Sequence, residues 1–187
     1  SKLVRWHLFN YKLRKDVEEE IRKELKEKLD PRDPEELNLD DNYTTDASIR
    51  RLIRSVGQEN IEDLVKVRIC DRIGSGVPKA VPYRLRHFQY RVEKILREGE
   101  AVKITMLKIN GDELKKLLKL EQGPKIGHIL NALLEEVLDD PKKNEKKYLK
   151  KRAVELNKLS DEELIALRKK SEEKVELIEG ERDSQIK

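Results

Sequence analysis

The chain contains one cysteine, Cys70, so it cannot form an internal disulfide, and a lone thiol fits a reducing, cytoplasmic setting. Six prolines, eight glycines and an aromatic content of 4% argue against a β-sandwich or barrel. No apolar run approaches the roughly 20 residues that span a bilayer, and no signal-peptide pattern opens the sequence. Catalytic signatures are scarce as well. Two-metal nucleotidyl transfer needs closely spaced carboxylates, and no Asp-x-Asp occurs. Gly74-Ser75-Gly76 has neither a strand before it nor such a pair after it, and it reads as an interhelical turn. There is no Walker loop, zinc spacing or nucleophile elbow. None of the histidines, His7, His87 and His128, is followed by aspartate, and each reads as a packed or surface imidazole. These absences count against a membrane protein, a disulfide scaffold, a metal site and catalysis by this chain alone.

What is present is charge. Of the 187 residues 43% are charged and 36% hydrophobic, a mixture that suits helices carrying one apolar stripe each. Apolar residues recur at helical spacing in at least seven segments, among them 3–13, 17–29, 83–97 and 124–138. One helix, capped from Thr44, Thr45 or Asp46, carries Ile49, Leu52, Ile53 and Val56 and stops at Gly57. Another carries Ile61, Leu64, Val65, Ile69 and Ile73, with Cys70 as a small buried hydrophobe. Ser160 to Glu163 forms a capping box for the last helix, and the tail after Gly180 is expected to fray. Residues 101–107 are the one candidate strand, or else a linker. The predicted fold is all-α, a multi-helix bundle or curved helical assembly in two subdomains, 1–100 and 101–187.

The net charge of +4 is unevenly spread. Residues 47–131 hold 18 basic and 10 acidic side chains, whereas 132–141 hold four acidic and no basic ones. A polyanion would therefore be held by the middle of the chain. Within it, Gly123-Pro124-Lys125-Ile126-Gly127 predicts a helix start. Gly123 permits a turn with φ > 0, and Pro124 at the first helical position sacrifices no useful donor. Lys125 and free N–H groups would then meet a phosphate, while Gly127 would allow a backbone or another helix to come close. The bland alternative is a simple turn between packed helices. Arg50, Arg51, Arg68 and Arg72, with Arg54, Arg84, Arg86 and Arg91, form a second candidate surface, interleaved with Tyr83, Phe88 and Tyr90. Phe88 reads as core.

Four segments in order are similar to a known family. They are Thr45-Asp46-Ala47-Ser48-Ile49-Arg50-Arg51, Glu62 to Arg72, Ile109-Asn110-Gly111-Asp112-Glu113-Leu114, and Gly123 to Leu130. Together they resemble the C-terminal body and tail of bacterial class II tRNA nucleotidyltransferases and related poly(A) polymerases, over roughly residues 1–155. The resemblance implies a tRNA-binding portion that holds the acceptor arm and elbow through Arg50, Arg51, Arg68, Arg72, Gly123, Lys125 and Gly127. A separate head and neck would supply Mg2+, ATP or CTP, and catalysis; no cofactor is expected in this chain itself. Glu62-Asp63-Leu64-Val65-Lys66 mimics the family's nucleotide-selecting motif but has lysine where arginine is required. Leu3 to His7 looks like the helix after a His-Asp phosphohydrolase motif, with Asp46 as its last aspartate and the dyad upstream of Ser1. The expected partners are tRNA and a catalytic head; the alternatives are a helical interaction scaffold or a truncated phosphohydrolase.

Overall fold

The computed structural model describes residues 11, 44–76, 81, 83–121 and 123–167. The segments expected to be helical at 3–13 and 17–29, His7 and the tail after Gly180 lie outside the described residues, apart from Tyr11. Elsewhere the structure is all-α. Helix α1 (Asp46–Val56) starts where Thr45 Oγ1 accepts from the Ser48 N–H at 3.2 Å. It ends at Gly57, whose φ of 99° an L side chain rarely adopts, and whose N–H donates to Ile53 O at 2.9 Å. A 3-10 turn, Gln58–Asn60, leads to α2 (Ile61–Gly74), and α3 spans Tyr83–Arg97. Helix α4 (Gly111–Leu118) is capped by Asn110, which accepts from the Glu113 N–H at 2.9 Å. Helix α5 (Pro124–Asp139) is followed by a 3-10 turn, Pro141–Lys143, and by α6 (Lys146–Leu156). Residues 161–167 open a further helix. The Ser160 N–H donates to Glu163 Oε2 at 2.8 Å and Ser160 Oγ accepts from the Glu163 N–H at 3.2 Å, a complete capping box.

Helix α5 is the hub. Ile126, Ile129, Ala132, Leu133, Leu134, Val137 and Leu138 are buried along it, and it packs against α1, α4 and α6. Its apolar positions fall on more than one stripe, as they must when a helix is covered on several sides. Helix α3 packs on α1 through Leu85, Phe88, Val92 and Ile95.

The candidate strand at 101–107 is not one. Ala101, Val102, Leu107 and Ile109 are buried, but the backbone makes a 3-10 turn at Ile104–Met106. Among the described residues it has no partner strand, and Asn144 serves its backbone instead. Asn144 Oδ1 accepts from the Lys108 N–H at 2.9 Å, and its Nδ2 donates to Met106 O at 3.1 Å. Cys70 and Ile73 also depart from expectation, since both are exposed. At about 100° per residue, Cys70 falls half a turn from Ile61 and Ile73 about a third of a turn, so neither reaches the buried stripe of Ile61, Leu64 and Val65.

Candidate nucleic-acid interface

Helix α5 has chemically opposite ends. At its start, Gly123 is extended (φ −168°, ψ 171°), which any residue can adopt, so no left-handed turn requires glycine there. What glycine and proline provide is bareness. Gly123, Pro124 and Gly127 are exposed, and among the described residues no side chain caps the first turn and a Cβ added at Gly123 or Gly127 would meet nothing within 4 Å. No close approach of another described helix fills the space that the missing Cβ of Gly127 leaves within 4 Å. Lys125, half-buried beside this surface, makes no ion pair among the described residues. The first N–H groups of a 16-residue helix thus point at open space with a cation next to them.

At the other end, arginines from α1 close the helix. Arg50 is 5% exposed; its Nε donates to Leu138 O at 2.7 Å, Nη2 to Asp139 O at 3.4 Å and Nη1 to Glu100 Oε2 at 2.8 Å. Arg51, also buried, pairs with Glu135 at 3.2 Å and Asp139 at 2.6 Å. Arg54 joins Glu135 and donates to Asn131 Oδ1 at 2.8 Å. Asp139 and Asp140 close α5 with the wrong sign for the negative end of a helix dipole, and the guanidinium groups offset them.

The sequence-predicted residues therefore do not form one patch. Arg50 and Arg51 sit roughly 20 Å from Lys125 along α5, by the rise of a helix, with their donors committed inside the chain. Arg68 and Arg72 lie on α2 and are engaged within the chain, Arg72 fully buried. Lys66 pairs with Glu62 at 2.8 Å and with Asp63 at 3.4 Å on the exposed side of α2. The cations left without an ion pair among the described residues are chiefly lysines: Lys94, Lys108, Lys116, Lys119, Lys125, and Lys142, Lys143, Lys147, Lys150 and Lys151 on and before α6, where Lys146 alone of the run pairs, with Glu113. Residues 142–151 carry six lysines, a concentration that charge counts over longer blocks diluted.

Asp46 holds Arg91, whose Nη2 lies 2.5 Å from Asp46 Oδ1. Arg91 Nη1 also donates to Thr44 O at 2.7 Å and to Tyr11 Oη at 3.2 Å. Tyr11 Oη lies 2.6 Å from His87 Nδ1, so its own O–H is placed to donate to a neutral imidazole. Burial, then the Arg91 charge, lower the His87 pKa below its ordinary 6.5, with Asp46 opposing. The unfolded chain then binds the proton more readily. The stabilising contribution of His87 is present above about pH 6.5 and is lost as pH falls through the depressed folded value. We expect the urea midpoint to drop between pH 7.5 and 5.5, and to drop less in His87→Gln; equal drops would count against this network. Among the described residues no three His, Cys, Asp or Glu side chains converge. The residues described do not fit a catalytic metal pair.

No described helix is long and apolar enough to cross a membrane. Compared with known proteins, residues 79–153 match the family model of tRNA nucleotidyltransferase domain 2. The match runs from just before α3 into α6 and includes both the bare helix start and the Asn110 cap. No curated protein and no solved structure matches the chain.

Proposed function

We propose that this chain holds tRNA by its backbone while a separate head domain adds nucleotides, a reading supported by the match of residues 79–153 to tRNA nucleotidyltransferase domain 2. The observation that carries the reading is the start of α5, where unsatisfied N–H groups, Lys125 and two side-chain-free glycines meet solvent inside the matched region. A phosphate placed there gains donors and a favourable dipole at once. The lysines at 94, 108, 116 and 119, without an ion pair among the described residues, supply diffuse attraction elsewhere on the surface. Arg50 and Arg51 serve by fixing α5 rather than by touching RNA. Mg2+ and ATP or CTP belong with the head and neck in this proposal, and the compartment is the cytoplasm, where tRNA is held and repaired.

Backbone recognition has a measurable signature. Affinity for intact tRNA should fall with salt at a log–log slope of about −0.7 to −0.9 per phosphate neutralised. Lys125→Ala should flatten that slope by roughly one contact and leave helicity unchanged. Folded tRNA should outcompete a single strand of equal length for the α5 start, since A-form recognition follows shape. Anisotropy titrations between about 50 and 200 mM salt test this. No binding at the low end would hand the chain to the scaffold reading.

A further inference from the structure

A cleft of about 390 Å³ opens between α5 and α6, over the Pro141–Lys143 turn, lined by Glu136, Lys143, Tyr148, Lys151, Arg152 and Glu155. Four of these sit at i, i+3, i+4 and i+7 on α6 and share one helix face. The neighbouring stripe of Leu149, Ala153 and Leu156 is buried and fixes that face in place. Glu136 accepts from Tyr148 Oη at 2.9 Å and from Arg152 Nε at 2.7 Å, while Arg152 Nη1 donates to Glu155 at 2.7 Å. One guanidinium thus engages both carboxylates, and the tyrosine ring is tethered by its hydroxyl. Lys143, whose Nζ lies 6.0 Å from the Tyr148 ring centroid, and Lys151 have no ion pair among the described residues.

We infer that this cleft takes one unpaired nucleotide of an RNA strand, with its base against Tyr148 and its phosphate between Lys143 and Lys151. The inference rests on the tRNA-binding reading and adds a second, structurally distinct contact. A fixed aromatic face offers sequence-tolerant stacking, and the volume falls in the range of small-ligand sites. The lining is net positive, with three cations against two carboxylates. A strand fits better than a free nucleotide because Lys142 and Lys147, next in the chain to the lining residues Lys143 and Tyr148, add positive charge beyond the cleft, exposed and without ion pairs among the described residues. Flanking phosphates would use them and a mononucleotide would not. Glu136 and Glu155 retain acceptor capacity for a ribose hydroxyl or a base amino group.

The test measures binding of tRNA, of a 12-nucleotide single-stranded RNA and of AMP to the wild-type chain and three variants. Tyr148→Ala should weaken both RNAs about tenfold or more, and Tyr148→Phe, which keeps the ring, by less than about threefold. The double variant Lys143→Gln/Lys151→Gln, checked for unchanged helicity by circular dichroism, should flatten the salt slope by about two contacts. AMP should bind far more weakly than the strand. RNA binding that is untouched by all three variants overturns the cleft while leaving the tRNA reading intact. AMP binding as tightly as the strand also overturns it, in favour of a free-nucleotide site. Absence of any RNA binding by the wild-type chain overturns both.

Discussion

Arg50→Met should destabilise the protein by about 3–5 kcal/mol, the usual loss when one partner of a buried ion pair is removed. The guanidinium of Arg50 ties Leu138 O, Asp139 O and Glu100 to α1. Without it the last carbonyls of α5 lose donors in a site that water reaches poorly, and Glu100, with 16% side-chain exposure, loses its partner. Arg50→Lys should recover less than half of the loss, because a point-like ammonium cannot reach three acceptors that diverge around a planar fork. Lys66→Met removes exposed pairs and should change stability by less than about 0.5 kcal/mol. Urea unfolding followed by circular dichroism measures all three. A loss below about 1 kcal/mol for Arg50→Met at an unchanged denaturant slope would contradict the assigned role.

Phe88→Ala should cost about 3–5 kcal/mol, as expected when a fully buried aromatic leaves a cavity. Phe88 has no exposed surface, and its ring meets Tyr11 edge-to-face at 5.2 Å between centroids. Truncation therefore also removes the surface on which Tyr11 rests between Phe88 and His87. Tyr90, two residues on, is 63% exposed, and Tyr90→Ala should stay within about 0.5 kcal/mol. Thermal melts of the two variants side by side check the contrast. Similar melting temperatures would mean that α3 does not pack on α1 through Phe88.

What was legible in the sequence was local. Thr45, Gly57, Asn110 and the pair Ser160/Glu163 announce helix ends through hydrogen bonds spanning a few residues, Pro124 announces one by its fixed φ and missing donor, and the apolar period announces helices. Phe88 was placed in the core correctly because it sits on the same stripe as Leu85, Val92 and Ile95. Partnership at a distance was not legible. Arg50 and Arg51 meet acceptors 50 to 89 residues away, and an arginine bound for a phosphate has the same neighbours in sequence as one bound for a helix end. A signal did exist: the basic run at 50–54 has a complement in the all-acidic block 132–141. Opposite blocks of that kind can neutralise each other before any ligand arrives. The α5–α6 cleft went unread because Glu136, Lys143 and Tyr148 converge only once the Pro141 turn folds α6 back along α5. Ile73 was misplaced because an apolar residue near the end of a helical run need not point along its stripe.

The split between arginines joining α1 to α5 and lysines on the outer side of α6 has an evolutionary corollary. The internal arginines are locked to particular acceptors, so few exchanges among them would be neutral for folding. Apart from Lys146, which pairs with Glu113, and Lys143, which lies against the Tyr148 ring, the external lysines answer to no internal partner among the described residues and can be gained, lost or exchanged for glutamate with little effect on the fold. Selection could therefore retune the attraction of such a chain for polyanions through a series of individually harmless surface steps. Close descendants could share this scaffold and still differ widely in how tightly they grip nucleic acid.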